Sequence, residues 1–213
     1  MVGGFVGGVT LLASLGAAAQ TRPSLSVTLP AADSLATVGP LVRSRAVLAD
    51  RSVRELMDHG FPARLRYRVE LWSTSGWFDR QLRASEWDVV VRYDPLHKTF
   101  EAVRVDGDTV SSLGVFRQFQ EVATEVELPH RAAIAAPKER APAYYNVTLT
   151  LEMLSVSDLD ELQRWVKGDL RPAVRGQRNP GTALSRGTRT LLTRLLGGER
   201  RTLEIRSERF VVP

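Results

Sequence analysis

At 213 residues, with 43% hydrophobic and 25% charged side chains, the chain lies in the range of ordinary globular proteins, which excludes a disordered, collagen-like or many-span membrane protein. With no cysteine, a disulfide framework, a thiol nucleophile, a cysteine zinc site and a lipidated lipoprotein cysteine are all excluded. The formal charge of +5 is carried almost wholly by arginine, because Lys98, Lys138 and Lys167 are the only lysines.

Met1 to Ala19 contains no charged side chain, and the apolar run from Phe5 to Leu15 leads into Ala17, Ala18 and Ala19. The small residues Ala17 and Ala19 supply the A-x-A pattern that a signal peptidase pocket requires, which predicts a signal peptide over 1–19, cleaved before Gln20. A basic n-region is missing, so an uncleaved N-terminal anchor is the alternative. Either way the remainder is expected outside the cytoplasm, in the periplasm or another extracytoplasmic space. Its length suits a single domain over 20–213.

Leu25, Val27 and Leu29 alternate with Ser24, Ser26 and Thr28, the period of a strand with one buried face, and Pro30 ends it. Leu41 to Leu48 predicts a second strand, with Val42, Ala46 and Leu48 inward and Arg43 and Arg45 toward water. Ser52 and Glu55 have capping-box spacing, and Gly60 and Pro62 supply the stop of a short helix that includes Leu56 and Met57. Leu65, Tyr67, Val69 and Leu71 then alternate with Arg64, Arg66, Arg68 and Glu70 as a strand. Trp87, Val89, Val91 and Tyr93 form the second arm of a long hairpin, and Phe100 to Val105 a third arm stopped by Asp106 and Gly107.

Phe116, Phe119, Ala123 and Val126 recur at helical spacing, which predicts an amphipathic helix over 113–125. Residues 128–142 lack a period and read as an irregular connection holding at most one short strand. Tyr145, Val147, Leu149, Leu151 and Met153 mark another one-sided strand. Ser157 begins a helix with Asp158, Asp160 and Glu161 in its first turn and Arg164 and Lys167 in its last. A basic loop leads to a further helix over about 183–196, so that 157–200 forms a basic helical insertion before a last strand from Leu203 to Val212. One-sided strands must stack on something similar. A mainly β antiparallel sandwich with three or four helices in its connections is therefore expected, with an α+β single antiparallel sheet as the alternative.

The segment from Gly60 to Tyr93, with GFPARLRYRVELW, the following GWFD and the strand WDVVVRY, resembles a bacterial exported family known as domain of unknown function four-three-nine-zero. The resemblance implies an exported protein with a Gly and apolar-Pro step after a short helix and a Trp-aromatic-Asp hairpin tip. Some members of that family are encoded beside a membrane sensor kinase, an envelope-sensing context. The resemblance brings no enzymatic activity and no functional residue.

Phosphate-loop, dinucleotide, nucleophile-elbow and zinc-protease motifs are all missing. His59, His97 and His130 each lack an acid at ligand spacing, and no cofactor or metal is expected. Asp158, Asp160 and Glu161 read first as helix-start residues and only second as paired carboxylates. The Asn146-Val147-Thr148 sequon is explained by strand alternation. Trp72, Trp77 and Phe78 gather at the hairpin tip, where cross-strand packing is the first reading and stacking on a sugar or partner surface the second.

Charge is uneven along the chain. From Arg164 to Pro213 there are 12 basic and 4 acidic residues, net +8. Over 183–196, Leu184, Leu191 and Leu195 share one face while Arg186 and Arg189 point away, with Arg194 on the same helix. Such a helix packs its leucines on the domain or lies on anionic lipid. Nucleic acid is not an expected partner, since no base-reading module is visible. The leading expectation is a non-enzymatic envelope interaction or accessory module with an unknown protein partner in the envelope. An anionic-membrane-surface binder through the basic helix and an envelope hydrolase without a recognisable motif are the alternatives.

Overall fold

The computed structural model describes residues 22–74, 77–136, 141–154 and 201–211. Strands β1 (Ser24–Thr28) and β2 (Leu41–Arg45) flank a single 3-10 turn (Ala32–Ser34), and helix α1 (Arg51–Asp58) follows. Four long strands come next: β3 (Ala63–Ser73), β4 (Arg80–Asp94), β5 (Thr99–Asp106) and β6 (Thr109–Phe116). Helix α2 (Phe119–Val126), β7 (His130–Arg131), β8 (Pro142–Met153), β9 (Arg201–Arg206) and β10 (Phe210–Val211) complete the order. The fold is mainly β with antiparallel pairing throughout. Its two sheets run β1-β2-β7 and β10-β8-β3-β4-β5-β6, with β9 also on β8.

Strand β3 is central because both of its edges are paired along its length. Leu65, Tyr67, Val69 and Leu71 lie opposite Leu151, Leu149, Val147 and Tyr145 of β8, and Leu65 and Tyr67 also lie opposite Val89 and Trp87 of β4. Residues directly opposite share a face, so one side of the large sheet becomes a continuous apolar surface. Val42 of β2, Val53 and Met57 of α1, and Val122 and Val126 of α2 cover it and complete the core.

The other face of β3 carries Arg64, Arg66, Arg68 and Glu70, as its alternation predicts. Asp88 of β4 takes both Arg64 and Arg66, and Arg68 pairs with Glu70 and Glu86. Arg92 and Glu101 extend this pattern across β4 and β5 at 2.5 Å.

Four boundaries differ from the sequence expectation. The second strand stops at Arg45 rather than Leu48, because Ala46 adopts φ 53° and its N–H donates to Glu127 Oε1 at 2.7 Å. Ala46, Val47 and Leu48 are still buried, in a turn instead of a strand. Helix α1 is capped by Asp50, whose Oδ1 accepts from the Ser52 N–H at 2.7 Å, so the cap lies two residues before the expected Ser52. At the other end the expected stop holds: Gly60 takes φ 87°, and Phe61 N–H closes on Leu56 O.

The helix expected over 113–125 is a strand as far as Phe116 and a helix only from Phe119. Phe100 pairs with Phe116 across β5 and β6, and the Gln118–Glu121 capping box starts α2 afterwards. The last expected strand is two strands, β9 and β10. They part at Ser207, whose N–H donates to Tyr145 O at 2.8 Å and whose Oγ accepts from Tyr145 N–H at 2.9 Å. The leader expected over 1–19 and the helices expected over 157–168 and 183–196 lie outside the described residues.

Leu65→Ala, in the fully buried middle of this arrangement, should lower unfolding free energy by about 2–5 kcal/mol in denaturant titration. Arg68→Ala on the opposite face should change it by less than about 1 kcal/mol. Asp50 gives a pH test. Hydrogen bonds from Ser52, aided by Arg201 at 2.5 Å, hold its carboxyl at about 2, below the ordinary value. A depressed carboxylate stabilises the fold above its unfolded value and loses that contribution as pH falls through the folded one. Asn also caps helices well, so Asp50→Asn should be less stable at neutral pH, with the deficit shrinking between about pH 4 and 2.

Candidate functional site

Residues 74–79 join β3 to β4 at one end of the large sheet. The base of this loop is fixed to β8: Thr74 N–H donates to Pro142 O at 2.9 Å, and Tyr144 Oη donates to Asp79 Oδ2 at 2.9 Å. Beyond that base the side chains of Trp77 and Phe78 are 98% and 86% exposed. A fixed stem therefore carries two neighbouring aromatics into solvent.

The three aromatics that the sequence groups at this tip divide into two kinds. Trp72 stacks on Tyr144 with ring centres 6.5 Å apart and planes 4° from parallel, and its Nε1 donates to Glu70 Oε2 at 3.1 Å. It is a cross-strand packing residue. Only Trp77 and Phe78 project. Sequence reasoning missed Tyr144 and Arg206, whose guanidinium lies 4.4 Å from the Tyr144 ring centre to form an Arg–Tyr–Trp layer. The signal was non-local, since Tyr144 and Arg206 meet only through the pairing of β8 with β9.

Basic residues surround the tip. Arg80 begins β4, Arg83 lies within electrostatic reach of Tyr145, and Arg206 and Arg209 lie within reach of Tyr144. Desolvation and the bond to Asp79 raise the Tyr144 hydroxyl above its ordinary value, while the two arginines pull it the other way. Arg186, Arg189 and Arg194 lie outside the described residues, as do Asp158, Asp160 and Glu161.

The histidines do not converge. His59 Nδ1 is 2.6 Å from Glu55 O at the end of α1, and His97, expected to lack a nearby acid, has its Nδ1 2.7 Å from Asp94 Oδ2 because the β4–β5 turn folds the two together. His130 is buried between the sheets. Among the described residues no group of three or more His, Asp or Glu side chains is placed to hold a metal ion. Asn146 of the sequon donates to Glu204 Oε1 at 2.9 Å on the outer face of β8.

Around His130 lies a polar cluster inside the core. Tyr67 and Trp87 stack at 5.0 Å and 6°, His130 tilts against both, and Arg104 sits 5.0 Å over the Trp87 ring. Tyr67 Oη and Ser44 Oγ, 2.8 Å apart, bridge the two sheets, and burial pushes the tyrosine up to about 12. Trp87 Nε1 and His130 Nε2 are buried without a hydrogen-bond partner among the described residues.

Two open clefts lie among the described residues. One, of about 420 Å³, is lined by Pro23, Val47, Leu149, Leu151 and Leu203 and is mostly apolar. The other, of about 480 Å³, gathers Arg54, Lys98 and Arg117 around Phe100 and Phe119, with Asp58 on its wall. The adjoining start of α2 is already satisfied internally, because Glu121 Oε2 accepts the N–H groups of Arg117 and Gln118 at 3.1 Å each.

Burial, with Arg104 nearby, holds His130 below its ordinary value, so the folded protein keeps it neutral where the unfolded chain binds a proton. Stability should therefore fall as pH drops below about 6.5, with a slope of up to about 1.4 kcal/mol per pH unit from this residue. Denaturant midpoints measured from pH 7 down to 5 should lose that slope in His130→Phe. Comparison of the chain with protein-family models, curated proteins and solved structures finds no match.

Proposed function

We propose that the chain is an exported, non-catalytic binding module of the bacterial cell envelope, and that the tip of the β3–β4 hairpin is its contact element. The observation that carries this reading is the pair Trp77 and Phe78, exposed together on a loop whose base is hydrogen-bonded to β8. Exposed aromatics give the fold nothing in isolation, and large side chains held in this way mark contact sites.

One feature of the sequence supports the envelope placement: the uncharged stretch over 1–19 with its Ala17 and Ala19 pattern. The acids on the outer face of the large sheet support a binding rather than a catalytic role. Asp88 and Glu101 pair with arginines, Glu70 and Glu86 share Arg68, and Glu204 accepts from Asn146, so these carboxylates serve the sheet's own pairing.

A photo-reactive benzophenone side chain placed at position 78 in cells should give a covalent adduct with an envelope component, recovered from the periplasmic or membrane fraction. The double variant Trp77→Ala and Phe78→Ala should abolish capture of the same component by the purified protein. Its unfolding free energy should change by no more than about 0.5 kcal/mol, because both side chains are solvated. An absence of any adduct, together with unchanged capture by the double variant, would remove the proposal.

A further inference from the structure

The surroundings of the hairpin tip identify the kind of surface it meets, given that the tip is the contact element. We infer that this surface is an anionic lipid bilayer, with Trp77 and Phe78 entering its interface and Arg80, Arg83, Arg206 and Arg209 facing the headgroups.

Position comes first. The last paired residues of the hairpin are Ser73 and Arg80, level with Ala143 at the start of β8, and β10 ends beside the same point with Val211 opposite Pro142. Residues 77 and 78 therefore lie beyond the end of the sheet. Val211, 53% exposed, adds apolar surface there.

Charge comes second. In the middle of the large sheet Arg64, Arg66, Arg68 and Arg92 are all paired with carboxylates. Near the tip the pattern changes: among the described residues no ion pair is formed by Arg80, Arg83, Arg206 or Arg209. Asp79 accepts from the Tyr144 hydroxyl and Glu208 stands beside Arg209, so the four arginines outnumber these two carboxylates. A sheet that neutralises its arginines in one region and leaves them unpaired around an aromatic tip is complementary to a negatively charged surface.

Shape decides between a bilayer and a protein. A stable protein interface needs about 800 Å² of complementary surface on each partner, whereas here two adjacent exposed side chains stand beyond the end of a two-stranded stem, among basic residues. A bilayer interface closes around such a loop. Tryptophan rings favour the headgroup level, amphipathic elements sink about 5–10 Å into it, and anionic lipid attracts each nearby arginine.

The absence of cysteine allows a local test in the full chain. Phe78→Cys gives one attachment point for an environment-sensitive fluorophore, and Leu96→Cys gives another in the turn at the far end of β4, where Leu96 is 83% exposed. The two positions are separated by a 15-residue strand, roughly 45 Å. With vesicles of phosphatidylcholine and phosphatidylglycerol, the label at 78 should shift to the blue while the label at 96 stays in water. Pure phosphatidylcholine should produce no shift. Arg80→Ala and Arg209→Ala should each weaken partitioning roughly fivefold, and high salt should weaken it further. Attachment through residues 1–19 alone would leave the label at 78 in water, which overturns the inference. If that label stays in water and the benzophenone at 78 still captures a protein in cells, the lipid assignment is wrong and the binding-module reading stands. If neither occurs, both fall.

Discussion

The structure depends on the burial of one face of β3. Every residue from Ala63 to Ser73 faces a partner in β8 and another in β4, with one bulge in the β4 register between Leu71 and Trp72, so both edges of the strand are satisfied within the sheet. With Leu65, Tyr67, Val69 and Leu71 fully buried, a slip of one residue would send all four to water and bring arginines into the core. Register is thus fixed by the same alternation that makes the strand. The position of the small sheet is tied to it, because the Tyr67 hydroxyl needs a polar partner in the core and finds Ser44 of β2 at 2.8 Å.

On the opposite face the same registration makes an electrostatic pattern. Arg66 stands across from Asp88, Arg68 from Glu86, and Arg92 from Glu101, so opposite charges meet on neighbouring strands. Exposed pairs of this kind contribute little each, on the order of 0.2–1 kcal/mol. Arg64 is different, because it is only 8% exposed and would be costly without Asp88. The ladder mainly specifies which alignment of the hairpin is tolerated, and it keeps the outer face polar. The tip marks where this neutralisation ends.

How far the sequence could be read varies with how local each determinant is. β3, β4, β5 and β8 were legible because a one-sided strand writes its period into consecutive residues. The strand-to-helix junction at Phe116 to Phe119 was not, because the two phenylalanines have helical spacing even though one belongs to β6 and the other to α2. Only pairing with Phe100 distinguishes them. The early stop of β2 had the same cause, since the bond that turns Ala46 comes from Glu127, 81 residues away. Of the candidate contact residues, Trp77 and Phe78 could be found from their place between two strands. Trp72 could not be separated from them until β8 supplied Tyr144, and the arginines at the tip come from separate strands and a loop that no single stretch of sequence brings together.

The tip owes its suitability for contact to the stem as much as to its own side chains. Ordering a loop upon binding costs conformational entropy, about 1–2 kcal/mol for each backbone residue fixed. The bonds of Thr74 to Pro142 and of Asp79 to Tyr144 fix both ends of the 74–79 loop before any partner arrives. The Arg206–Tyr144–Trp72 layer then holds the tyrosine that makes one of those bonds. Trp72 would therefore serve the proposed contact only from beneath, by packing against the tyrosine whose hydroxyl bonds Asp79. The core alternation of β3 sets where the hairpin ends, and the outward side chains of β3, β8 and β9 determine how firmly that end is held.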